Sequence, residues 1–239
     1  MKLSKSHVKG ALVAISITVL VGTLCPASHA DPSPTTLRAL YGLRPPSSLD
    51  AAKTALVLVD FQLEFVTGRL PLPNGATAVA RARNLVDWAH RSGMLVVLVK
   101  QVSSKPGSLL FAADSPHTAF IPELEPAKGD LVIHKALGGG FSRTQLDSEL
   151  RARGIDTVII GGLMTHVAVL TTATDAMVLG YKAIVAGDAT ATRALPSVPG
   201  EVGVDAALLK RAALDAIADR VADVMLSRDI IALRVDHAR

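Results

Sequence analysis

Six short runs of β-branched and other apolar residues recur along the chain, and the gaps between most of them hold one helix each. They read TALVLVD (54–60), MLVVLVK (94–100), DLVIHK (130–135), DTVIIGG (156–162), KAIVAGD (182–188) and VADVMLS (221–227). Continuous apolar runs of this length suit strands covered on both faces, as in a parallel sheet. Helical patterns fill the gaps at 76–92, 143–153 (with Ser142 as a cap), 166–179 and 205–219, and Gly93, Gly154 and Gly180 close the first three. Helices that end in glycine and re-enter a strand within a few residues are what βαβ units require. The expectation is a three-layer α/β/α sandwich on a mostly parallel six-stranded sheet. Residues 101–129, the long irregular connection, are expected to form a lid or specificity loop.

The first 30 residues stand apart. Lys2, Lys5 and Lys9 precede an apolar run from Ala11 to Leu24, and Ser28-His29-Ala30 ends the segment in small-x-small form. This is the pattern of a secretory signal peptide with cleavage after Ala30, and the apolar run is shorter than the ~20 residues of a permanent span. The expected location is therefore secreted or periplasmic, with no membrane attachment after cleavage. Losing the leader removes three lysines and no acid, so 25 Lys+Arg against 21 Asp+Glu becomes 22 against 21. A near-neutral mature chain gives no electrostatic reason for a nucleic-acid or anionic-membrane partner. Cys25, the only cysteine, leaves with the leader. Residues 31–53, rich in Pro, Ser and Thr, read as a surface arm, and 54–235 as the folded domain.

In a doubly wound sheet the working groups gather beyond the carboxyl ends of the strands. There the sequence places Asp60, Lys100, Lys135, the turn GGLMTH and Asp188. Asp60 and Lys135 are the pair that could meet and handle a proton, with Lys135 lowering the acid's pKa and burial raising it. The backbone N–H groups of 166–168, opening a helix, are candidate oxyanion donors. Asp188 and Gln62 are expected to brace loops.

Four blocks, VDFQ (59–62), HKALGGGFSRTQL (134–146), GIDTVIIGGLMTHVAVLTTATDA (154–176) and GYKAIVAGDATATR (180–193), resemble the isochorismatase-like hydrolases, also called the cysteine hydrolase superfamily. The resemblance implies an Asp, a Lys and a Cys in the active site. Asp60 and Lys135 match the first two, and Ala168 stands at the nucleophile position, where a methyl group cannot attack. Gln62, Met164, Thr165, His166 and Val167 are the matching substrate-binding and oxyanion-loop positions. Isochorismatases proper also carry a small residue at that seat, and they hydrolyse a vinyl ether with the Asp as acid. Against that branch, the long loop reads Pro106-Gly107-Ser108-Leu109-Leu110 without the family's arginine, and Met164 replaces its tyrosine. Arg69, Lys100, Arg143 and Arg193 are the candidate replacement clamps. The metal-binding members' Asp-x-His element is absent from KQVSSKPGS (100–108), so no metal and no other cofactor is expected. What the resemblance implies is a secreted hydrolase of a small molecule, assembled as a homo-oligomer. A non-catalytic binding relative is the alternative.

Overall fold

A computed structural model describes residues 35–237; the leader at 1–30 and the start of the arm at 31–34 lie outside the described residues. The strands are β1 (Ser48–Asp50), β2 (Thr54–Val59), β3 (Leu95–Gln101), β4 (Leu131–Lys135), β5 (Thr157–Leu163), β6 (Lys182–Ala191), β7 (Asp223–Met225) and β8 (Arg234–Asp236). The helices are α1 (Leu37–Leu40), α2 (Gly75–Arg91), α3 (Leu146–Ala152), α4 (Leu170–Val178), α5 (Ala206–Ala216) and α6 (Ser227–Ile231). The main sheet runs β4-β3-β2-β5-β6-β7 with every pairing parallel. Strand order reverses between β2 and β5, so the crevice of this fold opens beyond Val59 and Leu163.

Alternation along β2 divides the interior. Leu56 and Leu58 join a core with Leu85 and Trp88 of α2 and Ile230 of α6. Ala55, Val57 and Val59 face the other way, onto Leu146 and Leu150 of α3 and Ala173 and Ala176 of α4. All six β2 residues are buried, which is why the strand reads as an unbroken apolar run instead of an alternating one. Two layers of helices on one sheet is the sandwich expected from the sequence. No described helix is long and apolar enough to cross a membrane.

Three local expectations change. Arg143 has φ 56°, a left-handed conformation that a right-handed helix cannot include. The helix expected from 143 therefore starts at Leu146, after Gln145, and Ser142 is not its cap; Ser142 Oγ donates instead to Asp175 Oδ2 at 3.1 Å. The helix expected from His166 opens with a wider π-type turn, Thr165–Val169, before α4 begins. The arm is also more ordered than its composition suggests. It contributes α1 and then β1, and β1 pairs in parallel with β8 through Ser48–Arg234, Leu49–Val235 and Asp50–Asp236.

Candidate active site

Asp60 leaves the end of β2 at φ 60°, and its N–H donates to Val99 O at 2.9 Å, across the end of β3. Lys135 ends β4, two strands away, and reaches over the end of β3 to meet it: Lys135 Nζ lies 2.8 Å from Asp60 Oδ2. Both side chains are almost wholly shielded, at 1% and 5% exposure for Lys135 and Asp60. The ammonium also donates to Gln101 Oε1 (2.6 Å), Leu137 O (2.9 Å) and Gly138 O (3.1 Å). Asp60 Oδ1, in contrast, is buried with no hydrogen-bond partner among the described residues. Burial pushes the Asp60 carboxyl up to about 7, and the neighbouring Lys135 only partly offsets it. Of the two opposing effects visible in the sequence, burial wins.

Ala168 sits in the turn after β5, 3% exposed, against the same core as Val57 and Val59. Thr172 Oγ1 donates to Ala168 O at 2.6 Å and accepts from Gly140 N at 2.9 Å. One threonine therefore ties the glycine loop after Lys135 to the turn that carries Ala168. Gly138 supports that approach: a Cβ added there would lie 3.6 Å from Val167 Cγ1, so the loop passes close to the turn at Val167. Asp60, Lys135 and the Ala168 turn thus form one neighbourhood at the switch point.

The remaining expected positions divide. Thr165 is fully buried and its Oγ1 has no partner among the described residues, unlike Thr172 and Thr174, whose hydroxyls bond back to the carbonyls of Ala168 and Leu170. His166 hydrogen-bonds through Nδ1 to Thr192 Oγ1 just after β6. Burial first, and then the nearby Arg193 guanidinium, hold its pKa below the ordinary 6.5. Met164 supplies a carbonyl that accepts from the N–H of Val167 and of Val169, each at 3.2 Å. The Val167 N–H is therefore spent inside the turn, which corrects the expectation that all three donors of 166–168 face an oxyanion.

Gln62 is a fully buried brace. Its Nε2 donates to Gln101 O (2.9 Å) and Thr118 O (2.8 Å), and its Oε1 accepts from Gln101 N (2.8 Å). Asp188 braces too, accepting from the N–H and the hydroxyl of Ser227 at 2.7 Å each. Lys100 stands away from the pair, its Nζ 5.3 Å from the Phe120 ring centre, and Gln101 takes the place at the end of β3. Neighbouring strand residues point to opposite faces, so the reading that singled out Lys100 missed Gln101 by one residue. Two more positions carry buried unpartnered nitrogens, Nδ1 of His117 and Nε of Arg193. His117 comes from the long loop, whose Phe120 bridges to Gln62. A lone histidine in a loop gives no sequence signal for such a place. Among the described residues, no three His, Cys, Asp or Glu side chains form a group suited to a metal ion.

The described arrangement holds one shielded acid beside a fixed cation, which is equipment for moving a proton. Comparison with known proteins gives the family. The family model described as the isochorismatase domain matches residues 54–229. A secreted isochorismatase effector of Verticillium dahliae is 32% identical over 193 residues, 81% of this chain and 97% of that protein. A streptothricin hydrolase of Streptomyces noursei is 35% identical over 172 residues, covering 70% of this chain and 60% of the relative. The crystal structure of an isochorismatase from Pseudomonas putida KT2440 matches with a TM-score of 0.74 at 31% identity, over 82% of this chain and 98% of that one.

Proposed function

Since the chain belongs to the isochorismatase family, we propose that it is a hydrolase in which Asp60 delivers a proton to a small-molecule substrate and water, not a side chain, supplies the nucleophile. The observation that carries this reading is the Asp60 carboxyl itself. One oxygen is fixed by Lys135 at 2.8 Å, and the other is buried without a partner. An acid with a pKa of about 7 holds its proton in a large fraction of molecules at neutral pH and is still willing to give it up. Proton transfer to the substrate leaves a carboxylate, which the adjacent ammonium stabilises. Water then adds to the activated carbon and its proton returns to Asp60. The adduct's bond to the leaving group breaks as that group takes up a proton and the added hydroxyl loses one to become a carbonyl, so the net change is substrate plus water to two products. Ala168 fits this scheme because no covalent intermediate is formed. The bond cleaved is a vinyl ether, or an ester or C–N bond activated in the same way. Arg193, with its Nε buried and unpartnered, is the cation that would hold an anionic group of the substrate.

A second reading, a non-catalytic binder, draws on two observations: the methyl at Ala168 and the spent Val167 N–H. A panel of amide, ester and vinyl-ether substrates separates the two when run on the natural chain, Ala168→Cys and Asp60→Asn. Turnover by the natural chain that disappears in Asp60→Asn supports the acid mechanism. Amide turnover by Ala168→Cys alone, or silence from all three, favours the binder.

Secretion belongs to the same proposal, supported by the leader pattern at 1–30 and by a relative that is itself a secreted effector. Mass spectrometry of the exported chain should give Asp31 as its first residue. Homo-oligomerisation is proposed as well; a monomer by light scattering after size exclusion would refute it.

A further inference from the structure

At the opposite end of the strands from Asp60, the amino ends of β2, β5 and β6 open into a cleft of about 670 Å³. Six residues of β2 separate the two sites, roughly 20 Å at the usual strand rise. The floor includes Thr157, Ile184 and Val221, which lie within the family-matched span of 54–229. The roof does not. Leu43, Arg44, Pro46, Ser48 and Leu49 come from the arm, and Asp236 comes from β8. The roof is held in place by the β1–β8 pairing and by a shielded ion pair, Arg38 to Asp223 at 2.6 Å, with both side chains about one-seventh exposed (15% and 14%). Asp219 Oδ1 also accepts from Leu37 N at 2.9 Å, fixing the start of α1. Segments lying outside the matched domain therefore build a second cavity onto it.

The charges of the lining say what it would take. Each of its four carboxylates has a cation within reach: Asp50 has Lys53 (3.9 Å), Asp156 has Lys182 (3.7 Å), Asp223 has Arg38, and Asp236 has Arg234 (3.1 Å). Arg44 has no carboxylate partner among the described residues, and it is exposed at the cleft. With every acid matched, a cationic ligand meets no free counter-charge, and with one spare guanidinium a polyanion is only partly neutralised. Leu43, which is exposed, and the half-buried Met177 and Val221 offer apolar wall for the remainder of a ligand, with the core residues Leu49 and Ile184 behind them. We propose that this cleft is a second binding site, separate from the Asp60–Lys135 centre, for a small organic acid with one carboxylate on an apolar body. The carboxylate pairs with the Arg44 fork, a geometry that guanidinium matches with two parallel hydrogen bonds, and the apolar body lies against Leu43, Met177 and Val221.

The probe is octanoate, with octanol as its uncharged counterpart, titrated into the whole protein while the methyl resonances of Leu43, Met177 and Val221 are followed by NMR. Octanoate should shift these methyls saturably, and octanol should bind at least about tenfold more weakly, the value of one charge-assisted contact. Arg44→Gln should weaken octanoate by a similar factor, Arg44→Lys should recover part of it, and Asp60→Asn should leave it unchanged. Because Arg44 is exposed, its replacement leaves the core intact, and an unchanged melting temperature checks that. The proposal is overturned by octanoate that leaves these methyls unmoved, by octanol that binds as well, or by Arg44→Gln without effect. Binding that Asp60→Asn abolishes would place the ligand at the other centre and overturn it too.

Discussion

Replacing Lys135 with methionine tests the physical core of the candidate site without any knowledge of the substrate. The substitution keeps a long unbranched side chain and removes the charge. It leaves Gln101 Oε1, Leu137 O and Gly138 O without their donor, and Asp60 without its cation. Breaking a buried pair from one side typically costs about 3–5 kcal/mol, and that loss should depend on pH. A carboxyl whose folded pKa lies above its unfolded value binds more protons when folded. Its contribution to stability is therefore present at low pH and is lost as pH rises between the two values. In the natural chain that window runs from the ordinary 3.8 to about 7. Without the opposing pull of Lys135 the folded value moves higher, so the variant goes on losing stability above pH 7 where the natural chain has stopped. The gap between them should widen by roughly 1.4 kcal/mol for each pH unit up to the variant's new value.

Urea titrations at pH 6, 7.5 and 9, followed through the fluorescence of Trp88, measure that gap; this buried side chain is the only tryptophan. Carbon-13 NMR of the Asp60 carboxyl gives the residue-level reading, with a midpoint near 7 in the natural chain and above it in the variant. A stability gap that is flat from pH 6 to 9, or that narrows, would refute the claim that burial dominates the Asp60 carboxyl against the pull of Lys135.

Three further outcomes follow from the same geometry. Asp60→Asn should lower turnover on any accepted substrate by about a hundredfold or more, since positioned acid catalysis contributes 10²–10⁴; steady-state kinetics shows it, and retained turnover would exclude Asp60 as the acid. Gln62→Ala removes three hydrogen bonds to the backbone of Gln101 and Thr118. At about 1 kcal/mol each the loss is roughly 3 kcal/mol, with faster amide exchange at 118–121, and both are measurable by urea titration and exchange mass spectrometry. His166 should titrate below 6.5 by proton NMR, and Arg193→Gln should raise its midpoint only part of the way, because burial is the larger cause.

The parts of the fold that were legible in the sequence are those governed by burial over many residues. TALVLV announces β2 because both faces of that strand are covered, and the same holds for VVLV in β3 and TVII in β5. Features set by single backbone angles were not legible. Nothing in the residue types near Arg143 announces a positive φ, so the start of α3 was placed three residues early. Neither did the three-residue strands β1 and β8 declare themselves, since their pairing joins the two ends of the described chain and three residues are too few to show a period. In the site, Asp60 and Lys135 were legible because charged residues ending apolar strands are conspicuous. Gln101 was not, because choosing between it and Lys100 requires knowing which face of β3 looks toward the pair.

The pair is held mainly by backbone, and that explains how it tolerates alanine at the position the family resemblance assigns to a nucleophile. Lys135 is oriented by two carbonyls of its own following loop, Leu137 and Gly138, and Gln101 is oriented by Gln62. The loop in turn is fastened to the Ala168 turn through Thr172, by way of the Ala168 carbonyl and not its side chain. The hydrogen bonds that hold the acid and its cation run through Gln101 and the backbone carbonyls of Leu137 and Gly138, so a side chain at 168 that fits the same buried space leaves them in place. Ala168→Cys should accordingly leave the Asp60–Lys135 contact intact, with the Asp60 carboxyl still titrating near 7 by carbon-13 NMR. A midpoint moved by more than about one unit, 1.36 kcal/mol of differential interaction, would show that residue 168 is electrostatically part of the pair after all.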